Sequence, residues 1–277
     1  MSTKIVIDST IDLKGEIKER LTKVPLTVHF GNEEYIDSVT ITHNEFYNKL
    51  VTSQDLPTTS QATPSDFEKV FEKEENVVAI TLSSSLSGTY QSAVIASDNR
   101  NDIYVVDSQS ASIGAGILTE LAVDLSNKGK SAGEISEILK RERENVCIVA
   151  MLDTLEYLKR GGRISKAVAF AGSMLSIKPI IALINGEIKI LGKARGQKQG
   201  NALIISEIEK MGGIDFSRPF ILGYTGQNDS LLKQFISETE SVWENVNTPL
   251  VISQVGSVIG THAGPGAVAV AFFKKTK

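Results

Sequence analysis

Short β-branched runs that end in a hydroxyl- or acid-rich turn and then open a helix recur along the first half of this sequence, and nothing else in it constrains the fold as much. Lys4 to Asp8 ends in Asp8-Ser9-Thr10, which predicts a buried strand followed by a helix cap at Ser9 or Thr10. Val77 to Leu82 leads through a Ser/Gly turn into a helix from Thr89 to Ser97, and Ile103 to Val106 leads through Asp107-Ser108 into a helix from about Ile113 to Asn127. A helix from about Ala132 to Arg143 then precedes a strand at Val146 to Met151. Strands alternating with helices of this length imply βαβ units, a mostly parallel sheet, and ligand binding outside the carboxyl ends of its strands.

After Met151 the pattern changes. Asp153-Thr154-Leu155-Glu156 predicts a capped helix that stops at Gly161-Gly162, and Ile164 to Leu175 predicts a second one. Asn185-Gly186, between Pro179 to Ile184 and Glu187 to Leu191, supplies the positive φ values of a type I′ hairpin turn. Helices at Gln199 to Lys210 and Leu231 to Glu240 follow, with strands at Phe220 to Tyr224, Leu250 to Gln254 and Ala267 to Phe273. The expected architecture is α/β in two domains: residues 1–150 Rossmann-like, and residues 151–277 α+β with antiparallel strands.

Length and charge narrow the function classes. A chain of 277 residues can bury a real core, and 29 Lys+Arg against 33 Asp+Glu leaves no global positive field for a phosphate backbone or an anionic bilayer. Nucleic acid is not expected as a partner. The single cysteine, Cys147, lies in an apolar run and reads as inert core, which excludes a disulfide framework and fits a reducing, cytoplasmic compartment. The start, Met1-Ser2-Thr3-Lys4, has no apolar segment of the signal-peptide kind. From Asn245 to Phe273 there is no Asp, Glu, Lys or Arg, a stretch of 29 residues. Glycines at 256, 260, 264 and 266 and prolines at 249 and 265 break it too often for a membrane span, so its neutrality needs another reason.

Four segments could carry chemistry. Ser83-Ser84-Ser85-Leu86-Ser87-Gly88-Thr89 joins a strand to a helix, so it reads equally as a serine-rich cap or as an anion site at a helix amino end; the lysine and spacing of a Walker A loop are absent. Thr58-Thr59-Ser60-Gln61 precedes a helix capped by Thr63 with Pro64 in its first position, and reads first as no more than that approach. His262, between Gly260 and Gly264-Pro265-Gly266, is expected in a loop of special backbone shape that aims its ring into a site, whereas His29 and His43 read as structural or surface residues. No Cys/Asp/Glu cluster accompanies the histidines at ligand spacing, so neither a metal nor another cofactor is expected. Lys159-Arg160-Gly161-Gly162-Arg163 and Lys193-Ala194-Arg195-Gly196 are local basic clusters suited to an anionic group or a docking partner.

Taken in order, Ile7-Asp8-Ser9-Thr10-Ile11-Asp12-Leu13, Thr59-Ser60-Gln61, Leu86-Ser87-Gly88-Thr89-Tyr90, Val106-Asp107-Ser108, Leu158 to Ser165, Ser176-Ile177-Lys178-Pro179 and His262-Ala263-Gly264-Pro265-Gly266 resemble the DegV family, bacterial fatty-acid-binding proteins that serve as subunits of the fatty acid kinase system. The resemblance implies two domains enclosing an apolar tunnel, with a long-chain fatty acid tail inside and its carboxylate at the mouth. It implies that Thr59, Ser60, Ser87, Gly88, Thr89 and His262 hold the carboxylate. Arg163 and Arg195 would face the kinase that converts it to an acyl phosphate. Such a chain is a carrier without turnover of its own and without integral membrane association. Ala62 departs from the proline common in the family, which would loosen that loop without touching the hydroxyls.

Two other readings compete. In a serine hydrolase Ser87 would attack and His262 would act as base, oriented by Asp8 or Asp107, although no Gly-x-Ser-x-Gly elbow is present. Alternatively the serine loop would hold a phosphorylated metabolite or nucleotide.

Overall fold

The computed structural model describes residues 3–275 apart from 14, 20, 54, 165–176, 245 and 247, so the helix expected from Ile164 to Leu175 lies, beyond its first residue, outside the described residues. In chain order the first half runs β1 (Lys4–Asp8), α1 (Gly15–Lys18), β2 (Thr22–Val24), β3 (Thr27–Phe30), β4 (Glu33–Ile36), α2 (His43–Thr52), β5 (Thr58–Ser60) and α3 (Pro64–Phe71). It continues through β6 (Val77–Thr81), α4 (Thr89–Ala96), β7 (Ile103–Asp107), α5 (Ser112–Asn127) and α6 (Ala132–Glu142). The second half runs β8 (Val146–Met151), α7 (Glu156–Arg160), β9 (Ile177–Ile184), β10 (Glu187–Arg195), α8 (Gly196–Lys210) and β11 (Phe220–Tyr224). It ends with α9 (Ser230–Glu238), α10 (Glu240–Trp243), β12 (Ile252–Gln254), α11 (Ser257–Ala263) and β13 (Val268–Phe273).

Strands β2, β1, β6 and β7 form a parallel sheet in that order. Alternation along each strand sends Ile5, Ile7, Val78 and Ile80 to one face and Val6, Val77 and Ala79 to the other, where α2, α3 and α4 cover them. Capping boxes at Thr42, Thr63 and Ser131 fix the starts of α2, α3 and α6. After β1, however, no helix opens at Ser9 or Thr10: Asp8 Oδ1 accepts from the Thr10 amide at 2.9 Å, a local turn that competes with a cap, and α1 begins only at Gly15. A small antiparallel sheet, β4-β3-β5, places the strand expected around His29 at its centre, between two strands of three or four residues.

The second sheet has the order β10-β9-β8-β13-β11-β12 and is mixed, antiparallel except for the parallel β11–β12 pair. Strand β8, whose alternation with helices read as part of the first half, is a central member of this sheet, paired with β13 and β9. A run apolar on both faces announces burial but carries no record of its partners. The hairpin forms as expected, with Asn185 at φ 52° and Gly186 at φ 81°. The outer face of the sheet, Val149, Met151, Val268, Val270 and Phe272, packs on α8 and α9.

Helix α5 joins the two sheets. Its Ile113 and Ile117 share one core with Ile5, Ile7 and Ile80 on one side and with Ile148, Ile221 and Ala271 on the other. Gly116, in the middle of this buried helix, lies so close to the main chain of Asp12 that an added Cβ would overlap the Asp12 carbonyl oxygen. Glycine inside a helix ordinarily costs about 1 kcal/mol relative to alanine. Here the sign reverses: Gly116→Ala is expected to destabilise by about 1–3 kcal/mol through overpacking, read as a lower urea midpoint at unchanged slope.

Candidate functional site

A cavity of about 410 Å³ opens between the sheets and is lined from both halves of the chain. Its floor is one transverse row of the second sheet, in which Ile181, Ala150, Ala269 and Gly223 stand opposite one another on β9, β8, β13 and β11. Three of these four have a methyl group or less where a β-sheet usually carries branched chains, so a trough remains beside α5. Leu26, Leu86, Leu183, Ile188, Val258 and Ile259 close the sides. No helix among the described residues is long and apolar enough to cross a membrane.

Thr59, Ser60, Gln61, Ser87, Arg163 and His262 bring polar groups to the lining around the Thr59–His262 contact, while Ser112, Tyr224 and Thr225 line it elsewhere. Thr59 is the middle residue of β5, and its Oγ1 lies 2.9 Å from His262 Nε2. Contrary to the loop expected from its glycine neighbours, His262 sits in the last turn of α11, and the chain reverses only at Gly264, φ 71°. The glycines serve contacts as well: a Cβ on Gly161 would overlap the His262 ring at Nδ1, and one on Gly264 would overlap the Tyr157 ring. His262 is thus held between Thr59 and the end of α7.

Burial, followed by the nearby Arg163 guanidinium, pushes the His262 pKa down to about 4, so the ring is neutral at pH 7. Its Nδ1 is buried and has no hydrogen-bond partner among the described residues. A proton there would be an unsatisfied donor, so the network is satisfied with the proton on Nε2, donated to Thr59 Oγ1. The Thr59 hydroxyl is then left to donate into the cavity. Among the described residues the permanent positive charge of the site belongs to Arg163, whose Nε donates to the Leu86 carbonyl at 3.1 Å and whose NH1 donates to the Gly161 carbonyl at 2.6 Å.

The other expected residues divide. Ser87 lines the cavity, and its Oγ is 2.9 Å from Thr89 Oγ1 and accepts from the Thr89 amide at 3.3 Å. Thr89 is fully buried, and its amide is engaged by Ser87. Gly88 caps α4 without a side-chain bond, and a Cβ there would overlap the Gln61 amide, which reaches across to Ser92 at 3.1 Å. The Ser60 hydroxyl meets His29 Nε2 at 2.8 Å. Arg195 is exposed at the end of β10, apart from the cavity lining, while Arg163 belongs to that lining. Gln61 carried no role of its own within the Thr59-Ser60-Gln61 motif, and the floor row was not singled out by sequence; alternation identifies the row only after the strands are paired.

The hydrolase arrangement does not form. Ser87 bonds to Thr89 and not to His262, and among the described residues no carboxylate orients His262 Nδ1. Asp8 is occupied by Thr10 and Leu82, and Asp107 by Ser84 and Gln109. A nucleophile, base and orienter in mutual contact are what that chemistry requires.

This chain belongs to the DegV family: the family model described as "Uncharacterised protein, DegV family" matches residues 2–275. A DegV domain-containing protein of Caldanaerobacter subterraneus subsp. tengcongensis is 38% identical over 282 residues, covering 98% of each chain. Among solved structures, a DegV family protein from Thermus thermophilus described by its fatty acid binding is 31% identical, with a TM-score of 0.86 over 99% of this chain and 100% of that one. The Streptococcus pneumoniae Fatty Acid Kinase (Fak) B3 protein, loaded with linoleic acid, shares the fold at 22% identity, with a TM-score of 0.85 over 99% of this chain and 100% of that one.

Two expectations follow from the His262 environment. In a nitrogen-15 NMR titration of the free protein its ring should change protonation near pH 4 and stay neutral at 6.5. Because the folded pKa is depressed, the His262 contribution to stability is complete above pH 6.5 and falls as the pH drops toward 4. At about 1.4 kcal/mol per pKa unit, the fall amounts to about 3 kcal/mol. Asp8, raised by burial to about 6, acts with the opposite sign, its contribution being present below 3.8 and lost as the pH rises through 6. The difference between wild type and His262→Gln therefore isolates the histidine, and the variant should lose less stability on acidification.

Proposed function

We propose that the cavity holds a long-chain fatty acid, its tail over the Ala150–Ala269 floor and its carboxylate at Thr59, Ser87 and His262, and that the chain presents this carboxylate to a kinase for conversion to an acyl phosphate. The observation that carries the reading is the pairing of a mainly apolar trough with a polar cluster of the Thr59 and Ser87 hydroxyls, a neutral His262 and the Arg163 guanidinium. Each buried methylene contributes roughly 0.8 kcal/mol, so a chain of about fifteen carbons has ample driving force before its ordering cost. A carboxylate withdrawn from water needs donors and a counter-charge. The Thr59 and Ser87 hydroxyls can donate, His262 fixes the direction of the Thr59 hydroxyl, and Arg163 supplies the charge. The mainly apolar lining argues against a phosphorylated metabolite, which would leave the trough without a partner.

The Thermus thermophilus relative supports the ligand class, and the Streptococcus pneumoniae protein the kinase partner. Arg195, exposed and outside the cavity, is the residue suited to contact that partner. A cytoplasmic location follows from such a partnership.

Mass spectrometry of an organic extract of the purified protein should find fatty acid near one equivalent; a stoichiometrically empty protein from a lipid-replete host would contradict the reading. Ser87→Ala and Thr59→Val should each weaken retention about ten- to a hundredfold, the value of a hydrogen bond to a charged group. Ala150→Phe should lower retention by filling the floor. Arg195→Ala should leave retention intact and slow acyl phosphate formation by a fatty acid kinase.

A further inference from the structure

The segment Asp8-Ser9-Thr10-Ile11-Asp12 takes no part in the head-group chemistry, yet it places two carboxylates in the interior. Asp8, Asp12 and Asp37 are 0%, 0% and 1% exposed. A buried carboxylate without a paired cation is costly unless its oxygens are filled by donors. Asp8 fills them from its own surroundings, Thr10 and the Leu82 amide at 2.7 Å. Asp12 and Asp37 reach instead to the start of α11 in the other half of the chain, and Asp12 also to the start of α5 in its own half. Asp12 accepts from the Ser112 hydroxyl at 2.7 Å and from the Gly256 amide at 3.2 and 3.3 Å. Asp37 accepts from the Ser257 hydroxyl, and the Ser9 hydroxyl also bonds to it.

Gly256 and Ser257 are the cap and first residue of α11, the helix that carries His262, and no side chain of its own caps it. A helix of seven residues is too short to hold itself in water, so its placement is decided by what it docks on. Midway, Gly260 lies against Tyr47 and Phe46 with no room for a Cβ, and Tyr47 Oη donates to the Val255 carbonyl at 2.9 Å. That contact sets how closely α11 approaches α2. The two carboxylates fix the remaining coordinate.

We propose that Asp12 and Asp37 are positioning residues for the carboxylate site: by holding the amino end of α11 from the opposite half of the molecule, they set His262 within hydrogen-bond distance of Thr59. Its functional half rests on the fatty-acid reading; its geometric half does not. The titratable groups facing Asp37 include Asp8, Asp12 and His43, and Asp12 also faces Tyr47.

The test compares Asp12→Asn, Asp37→Asn and Ser257→Ala with Asp102→Asn, which removes a carboxylate paired with Arg100 and out of reach of α11. Two quantities are read: the His262 ring titration of the free protein and retention of palmitate. In the first three variants the His262 midpoint should move upward by at least about one unit, and palmitate retention should fall about tenfold or more. Asp102→Asn should move neither. Folded Asp12→Asn and Asp37→Asn proteins with an unshifted His262 and full retention would overturn the proposal. Should both fail to fold, Ser257→Ala, which removes one donor and adds nothing, decides between the same two results. A His262 shift in a protein whose wild type holds no palmitate would support the positioning role and overturn the fatty-acid reading alone.

Discussion

The bond between Thr59 and His262 joins residues 203 positions apart, one on a three-residue strand and the other at the end of a seven-residue helix. Neither element has the length to fix itself, and both are held by the larger framework around them. Strand β5 is placed by β3, α11 by the two buried carboxylates and α2, and the His262 ring by the missing side chain of Gly161. The neutral state of the histidine follows from the same packing. Desolvation and Arg163 disfavour its protonation, and a neutral ring orients a hydroxyl without adding a second positive charge.

This arrangement also accounts for the uncharged segment near the end of the chain. Its middle is α11, whose amino end faces Asp12 and Asp37 and whose carboxyl end faces the cavity, and its last part is β13, in the centre of the second sheet. An acid near Gly256 would meet two buried carboxylates. A lysine there would pair with them and displace the donors that now hold the helix. On β13 an added charge would be buried in one of two cores. Neutrality is therefore enforced by the fold itself.

Much of the framework was legible because it is local. Capping boxes, the Asn185-Gly186 turn and the alternation of Ile5-Val6-Ile7 are written in adjacent residues and depend on short-range geometry. The site was legible in part: Thr59, Ser87 and His262 do line one cavity, and the resemblance to a known family named them. What the sequence does not carry is pairing. Nothing local to Val146–Met151 says that it lies between β13 and β9, so the floor row of Ile181, Ala150, Ala269 and Gly223 had no visible signature. For the same reason the acid-rich turn after β1 suggested a helix cap, while its Asp12 caps a helix that begins 245 residues later.

A crystal structure of the protein loaded with a fatty acid brominated at its methyl end would test the account most directly, because anomalous scattering locates the tail independently of the head. The account predicts a carboxylate within hydrogen-bond distance of Thr59 Oγ1 and Ser87 Oγ, and bromine inside the trough over Ala150 and Ala269. A reversed chain, or bromine outside the trough with the cavity empty, would contradict it.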